Sequence, residues 1–442
     1  MKKTVIISCP IDTFSGYGAR GRDVVKAFHE LGEYDVRVLP QKWGDTPWGF
    51  IDDHEKEWGF VKPLLITSAT GQLPKPDIWV QITIPNEFMP QGKYNIGITA
   101  GIESNIAPAD WVEGCNRMDL VLGSSNHSVD VLKASKWQKV DKQTQQKLDV
   151  QIKPNLPMDV LFEGFDEDVY KKTDVKLDLP EIKEQFCFLF TGMWIQGDLG
   201  HDRKDIGTLI KTFLETFKNK KKQPALILKT GMGSASYLSR EQILRKIESV
   251  KELTKGNLPK IYLIHGDLTN EEMNQLYNHP QVKCMVNPTK GEGFGRPLLE
   301  FTQTKKPIIA SGWSGHVDFL KPDMSYLCKG KLHNVHPSAA NKWLLKESQW
   351  FAVDVTELSN AMKAVYTDYK TWSIRGKKQG NFAKENFSYT KMKDKLGKIL
   401  KEGVSIPQQV PLSLPSLSLP KLNSTKPSTS LPKLNLPKLN KV

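Results

Sequence analysis

VKCMVNPTKGEGFGRPLLEFTQTKKPIIASGWSGHVDFL, residues 282 to 320, contains strand, loop, helix and strand in one reading. Val282 to Val286 is a short apolar run of the kind that makes a buried strand. The run ends at Asn287; Gly291, Gly293 and Gly295 then space out a loop, and Pro297 stands where a first helical position belongs. Glycines in such a place let backbone N–H groups close on an anion, and the new helix N-terminus adds the positive end of its dipole. The stretch reads as an anion cradle followed by a second strand, Pro307 to Ala310. Glu292 lies in the cradle and Glu300 eight positions on, about one turn into the helix. Each carboxylate can accept two hydrogen bonds side by side, which suits it to a pair of sugar hydroxyls.

The same alternation extends outward. Upstream of the cradle, candidate strands Phe186 to Phe190, Ala225 to Leu228 and Ile261 to Ile264 are separated by helical stretches. In one of these, Ile206, Leu209, Ile210, Phe213, Leu214 and Phe217 recur at the spacing of a single buried helical face. An earlier series comprises Thr4 to Ser8, Val36 to Leu39, Ile78 to Ile84, Tyr94 to Thr99, Leu120 to Leu122 and Val160 to Phe162, with a polar linker over 164 to 184. Strands alternating with amphipathic helices predict parallel sheets covered by helices. The α/β architecture expected is two doubly wound sheets, then a helical stretch from about residue 354 to Gly403. From residue 405 Pro, Ser, Leu, Lys and Asn dominate and LPKLN recurs at 419, 431 and 436, which predicts a disordered or extended tail.

With 442 residues, 39% apolar and 25% charged, the chain has room for two or three domains with cores of their own. Those figures exclude a disulfide-stapled mini-protein, a collagen-like fibre and a wholly disordered chain. No run approaches the ~18 apolar residues of a membrane helix. The start, MKKTVIISCP, is too short in its apolar part for a signal peptide and reads as a first strand. The five cysteines form no C-x-x-C pair and mostly sit in apolar runs, which points to reduced thiols in a cytoplasm. The net charge is +13, of which Lys421, Lys426, Lys433, Lys438 and Lys441 supply five in an acid-free tail, leaving +8 on the body. A basic body suits phosphate-bearing ligands, nucleic acid or an anionic surface, and equally a solvated lysine-rich face such as KNKKK at 218 to 222.

Other segments carry possible chemistry. IDTFSGYGARGRD places Gly16, Gly18 and Gly21 in a G-x-G-x-x-G, but Pro10 to Ser15 stand between strand and glycines, against a dinucleotide turn. Asp166 and Asp168 form an Asp-x-Asp that reads as a surface acidic turn, and no metal site is predicted. Arg203 and Lys204 precede the helix that starts near Ile206, and read alone they are also an exposed helix-start pair. His127 reads as a helix-start polar residue.

The GEGFGRPLLE segment resembles the Glu-x-x-x-x-x-x-x-Glu motif of retaining GT-B glycosyltransferases of family 4. The resemblance extends to LFEGFDEDVYK, FTGMW, RKDIGTLIKTF and PIIASGWSGHVDF, and so spans nearly the whole chain to about residue 400. The tail and GIESNIAPADWVEGCNRMDLVLGSSNHS, 101 to 128, look most like glycosyltransferases carried by tailed bacteriophages. The resemblance implies that Glu292 touches the donor sugar, that Gly293, Phe294 and Gly295 offer backbone groups to the sugar and diphosphate, and that Glu300 holds the ribose. It matches Lys204 to the family lysine that neutralises the diphosphate; the family arginine usually falls earlier, and Arg203 is the arginine available here. Lys229, at the end of its strand, is a second candidate for that work. Gly16 and Gly18 are expected to approach donor phosphate or acceptor. Where many members have a cleft histidine, NIGITAGIESN offers Glu103, as an acceptor-side base or orienter or as a cap of the following segment.

The organisation this implies is an acceptor domain over 1–170, a donor domain over 171–385, a helix over 386–404 that could cross back to the first domain, and the tail over 405–442. The activity implied is transfer of a sugar from a UDP- or GDP-sugar to an acceptor hydroxyl, with retention, without a metal and with no cofactor beyond that co-substrate. Lipopolysaccharide or another glycan, a protein or a hydroxymethylated DNA base can serve as acceptor, the last slightly favoured by the basic balance and the phage resemblance. A nicotinamide oxidoreductase and a catalytically silent sugar-binding scaffold remain as alternatives.

Overall fold

In the computed structural model, which describes residues 2–66, 75–141, 144, 146–175, 177–233 and 235–404, the apolar runs of the first half become strands of one parallel sheet. They are β1 (Lys3–Cys9), β2 (Tyr34–Pro40), β3 (Ile78–Ile82), β4 (Tyr94–Thr99) and β5 (Leu120–Gly123). A hairpin of β6 (Trp137–Val140) and β7 (Lys147–Ile152) precedes the sixth sheet strand, β8 (Met158–Val160). The order is β2-β1-β3-β4-β5-β8, every neighbouring pair parallel. β3, β4 and β5 are buried along their whole length, as strands covered by helices on both faces must be.

The second half repeats the plan with β9 (Cys187–Thr191), β10 (Ala225–Lys229), β11 (Ile261–Ile264), β12 (Val282–Asn287), β13 (Ile308–Ser311) and β14 (Tyr326–Cys328). Their order is β11-β10-β9-β12-β13-β14, again all parallel. The helix Ile206–Phe217 buries the face its spacing predicted and packs it on Phe188, Phe190, Leu226 and Leu228. β15 (Gly330–Asn334) and β16 (Gln349–Val353) form an antiparallel hairpin beyond the sheet. Helices Val355–Thr367, Tyr369–Phe387 and Tyr389–Gly403 complete the described chain. The last of them returns to the first half, where Met392, Leu396 and Leu400 join Val5, Val24 and Phe28 in one core. The Tyr94 hydroxyl donates to the Gly403 carbonyl at 2.9 Å.

Two elements depart from the sequence reading. The strand expected over Val160 to Phe162 lies two residues earlier, because the carbonyls of Leu161 and Phe162 are taken by the buried Arg20 guanidinium instead of a ladder. The hairpins β6–β7 and β15–β16 are not among the expected strands: β7, KLDVQI, does alternate polar and apolar residues, but five of its six residues are exposed, so it lacks the buried apolar run that marks the sheet strands. The tail predicted over 405–442 lies outside the described residues. No helix among the described residues is long and apolar enough to cross a membrane. All five cysteines are buried and unbonded.

Candidate active site

In a doubly wound sheet, ligands bind beyond the carboxyl ends of the strands where the winding reverses. In the second sheet that reversal falls at β9, flanked by β10 on one side and β12 on the other. The loop after β9 brings Arg203 and Lys204 to the start of the helix Ile206–Phe217, and the loop after β12 brings Glu292 to meet them. Lys204 Nζ donates to Glu292 Oε1, and Arg203 Nη1 donates to Glu292 Oε2 at 3.3 Å and to the Gly291 carbonyl at 2.9 Å. Glu292 is only 7% exposed. Burial alone would raise its pKa, but the Lys204 ammonium and the Arg203 guanidinium hold it at about 2. Burial depresses the Lys204 pKa while the Glu292 carboxylate pulls the other way.

The backbone around Glu292 is fixed from behind. Its N–H donates to Ser314 Oγ at 2.9 Å, and its carbonyl accepts from Gly315 N–H at 2.9 Å. Ser314 adopts φ 79°, a left-handed conformation that costs a non-glycine residue about 1–3 kcal/mol. Gly315 is glycine of necessity, since a Cβ there would sit 2.1 Å from the Gly293 carbonyl. His316, fully buried below this loop, donates from Nε2 to the Ser311 carbonyl at 2.6 Å.

The cradle glycines meet the first half of the chain. A Cβ on Gly291 would lie 1.8 Å from the Glu103 carbonyl, and one on Gly293 2.3 Å from the Ala100 carbonyl. Ser125 and Ser128 direct hydroxyls to the Gly293 carbonyl at 2.6 and 3.1 Å, and Ser124 binds the Ala100 carbonyl at 2.6 Å. The Glu103 carboxylate stands 3.8 Å from Arg203. Further out, Asn105 and Gln349 exchange backbone and side-chain hydrogen bonds of 2.9 and 2.7 Å, and Trp343, in the β15–β16 connection, packs on Trp111 with centroids 6.0 Å apart.

Glu300 anchors a second cluster. Arg296 Nε donates to it at 3.1 Å, and Arg296 Nη1 reaches Asp23 at 2.6 Å and Glu163 at 3.8 Å, both on the first half. Burial raises the Glu300 pKa to about 7, against the pull of Arg296 and of the Tyr170 hydroxyl. At the strand ends nearby, Thr230 (after β10) and Asn287 (end of β12) each keep a buried polar oxygen without a hydrogen-bond partner among the described residues. Buried polar groups are seldom left so, and two of them at the strand ends beside the winding reversal are what a polar ligand would satisfy.

Glu292, Lys204, Arg203 and Glu103 therefore converge, and Glu300 stands one helical turn along. Gly295 opens that helix at φ 98°, with Phe294 buried beside Phe319. Lys229 does not join them: its ammonium donates to the Gly266 carbonyl at 2.6 Å. Gly16 begins the helix Gly16–Leu31 and has open space where a side chain would be. Gly18 does not: its N–H donates to Ser15 Oγ, and the Thr13 carbonyl lies 2.3 Å from the Cβ it lacks. Gly21 packs against the Cys9 side chain, so two of the three glycines serve packing. Asp166 Oδ1 accepts from Asp168 N–H at 2.9 Å, an acidic turn facing Lys26 at 3.6 Å. His127 lies against Trp313 with centroids 4.6 Å apart, and burial lowers its pKa to about 4.

Sequence reading missed Arg296, Asp23 and Glu163, whose pairing spans 273 residues, and the serines of SSNHS that grip Gly293. The signal available was only their position beside quoted motifs.

Solved structures share this architecture over nearly their full length. A glycosyltransferase from Rickettsia africae ESF-5 is 14% identical, with 91% of this chain and 98% of that one covered and a TM-score of 0.58. Anabaena HepE in complex with UDP-glucose is 12% identical, with 90% and 100% covered and a TM-score of 0.60. Sucrose-phosphate synthase from Thermosynechococcus elongatus is 14% identical, with 91% and 98% covered and a TM-score of 0.59. The fold is GT-B: two parallel six-stranded sheets with flanking helices. No family model and no curated protein matches the sequence.

Proposed function

We propose that the chain is a retaining glycosyltransferase of the family 4 type, which moves a sugar from a UDP- or GDP-sugar to an acceptor hydroxyl without a metal ion. The observation that carries the reading is the buried Glu292 carboxylate clamped by Lys204 and Arg203 at the winding reversal of the second sheet. A carboxylate held ionised accepts from hydroxyls of the transferred sugar, while the two cations face charge that develops on a departing diphosphate. Fold neighbours add support: Anabaena HepE is described with UDP-glucose, and an E. coli trehalose-6-phosphate protein with UDP-2-fluoro glucose.

In this reading the donor lies on 171–385 and the acceptor on 1–170. Glu300 takes the ribose hydroxyls, and backbone groups of Gly293, Phe294 and Gly295 take sugar and diphosphate. Gly16 leaves room for a phosphate or the acceptor, and Glu103 orients the acceptor hydroxyl; Lys229, held by the Gly266 carbonyl, is left out of the donor site. The bond from the anomeric carbon to the diphosphate oxygen breaks with its electron pair leaving on oxygen. The acceptor oxygen bonds to the same face, and its proton passes to the departing phosphate oxygen. Breaking and forming bonds on one face retains configuration and needs no covalent sugar–enzyme intermediate.

Calorimetry with a panel of UDP- and GDP-hexoses, and with NADH and NADPH, tests the reading. Binding of a nucleotide sugar, weakened in Glu300→Ala, is expected. Binding of a nicotinamide dinucleotide in its place would refute it.

A further inference from the structure

Beside the Gly16 helix the first half presents aromatic side chains that the donor reaction does not use. Tyr17 stacks on Trp43 with centroids 4.1 Å apart and planes inclined 28°. The Tyr17 hydroxyl lies 3.0 Å from Thr99 Oγ1 and accepts from Ala100 N–H at 3.1 Å. Ala100 is the residue whose carbonyl abuts Gly293, so this stack stands one residue from the donor cradle. Trp48, on the same loop as Trp43, is 48% exposed.

An exposed indole could be a mere surface accident, but this one is set on a pinned backbone. Residue 48 forms an antiparallel bridge with Thr13, Phe14 N–H donates to the Pro47 carbonyl at 3.1 Å, and Gly49 N–H donates to the Asp12 carbonyl at 3.0 Å. Asp12 Oδ1 also accepts from Ile51 N–H at 2.7 Å. The loop is zipped to the segment that leads into Gly16, where there is open space at the glycine. An apolar side chain carried on a backbone pinned in advance spares the loop-ordering entropy when a ligand covers it.

We propose that Trp48, on the loop that also supplies Trp43 of the Tyr17–Trp43 stack, is the acceptor platform, and that its occupant is a pyranose ring of an uncharged glycan. This rests on the transferase reading above and names the acceptor class. The electron-rich face of an indole attracts the C–H face of a sugar ring, an apolar contact that needs no counter-charge. A nucleobase could stack equally well, and the local charge decides between them. Lys42 on the loop is balanced by Asp45, and the exposed Asp52, Asp53, Glu55 and Glu57 that follow outnumber Lys56 and Lys62. Lys62 is already engaged by Asp52 and Glu55, at 2.9 and 2.7 Å. A polynucleotide draws its affinity from cations that neutralise phosphates, and over residues 42–62 five carboxylates stand against three lysines, a net negative neighbourhood.

The test is donor-free, so that it stands apart from whether transfer occurs. Full-length protein is applied to an array of neutral glycans and, separately, to single-stranded and duplex DNA containing 5-hydroxymethylcytosine, as wild type, Trp48→Ala and Trp48→Phe. Melting temperatures confirm that each variant is folded. Binding to neutral glycans that falls about tenfold or more in Trp48→Ala, and is largely kept in Trp48→Phe, is expected. The proposal is overturned by no glycan binding in the wild type, by glycan binding indifferent to Trp48→Ala, or by Trp48-dependent binding to the DNA instead. Release of UDP or GDP from nucleotide sugars by wild type is read in parallel: its absence would sink the transferase reading and leave the glycan result to stand or fall alone.

Discussion

Replacing Lys204 by methionine removes one of two cations from a carboxylate that has almost no water to turn to. Glu292 would keep Arg203 at 3.3 Å on Oε2, while Oε1 would lose its ammonium. Removing one partner of a buried pair costs about 3–5 kcal/mol, and the surviving arginine places this case near the lower figure, about 3 kcal/mol. That is a fall of several degrees in Tm, read by calorimetry or denaturant melts. The double variant Lys204→Met/Glu292→Gln, with no stranded charge, should recover most of that loss. Activity should behave differently: the single variant loses on the order of 10²-fold or more in kcat, and the double recovers none of it. The acid limb gives an independent check. Because Glu292 is held at about 2 in the fold, its contribution is present above the unfolded carboxylate pKa and is lost as pH falls from about 4.5 towards 2. The wild-type advantage over Lys204→Met should shrink across that window. A double variant as unstable as the single, or one that regains turnover, would refute the reasoning.

The Glu300 carboxyl, pushed up to about 7 by burial, should make donor affinity rise between pH 6 and 8 as it ionises, with Glu300→Gln giving a flat profile by titration calorimetry. Its effect on folding has the opposite sign, stability falling as pH rises from about 4.5 through 7, because the unfolded chain releases that proton first. Turnover should persist in EDTA, since side chains supply the positive charge; loss restored by Mg or Mn would contradict a metal-free mechanism. Removing 405–442 should leave melting temperature and donor hydrolysis unchanged, because a Pro-rich repetitive tail adds little to a core.

What the sequence disclosed follows the range of the interactions. Buried parallel strands announce themselves as apolar runs, so β1, β3, β4, β9, β10 and β12 were legible, as was the buried face of Ile206–Phe217. The Glu292–Lys204 meeting was legible only through resemblance: 88 residues separate the partners, and no local pattern links them. Arg296, Asp23 and Glu163 escaped because each looks like an ordinary helix or loop charge until the halves are brought together. The hairpin β6–β7 differs: KLDVQI carries a legible period-two alternation, but with no face buried it stands apart from the continuous apolar runs by which the sheet strands are recognised. Gly18 was read as ligand-facing when its small size serves the Thr13 carbonyl, a distinction only packing can make.

The central claim is sugar transfer with retained configuration from a nucleotide donor clamped at Glu292, Lys204 and Arg203. It is tested most directly by proton NMR of the first-formed product from a UDP- or GDP-hexose, followed with wild type and with Lys204→Met. The account predicts that the anomeric coupling of the new glycoside matches that of the donor, with nucleoside diphosphate released in equal amount and the rate collapsing in the variant. An inverted coupling, or a Lys204→Met enzyme as fast as wild type, would contradict it.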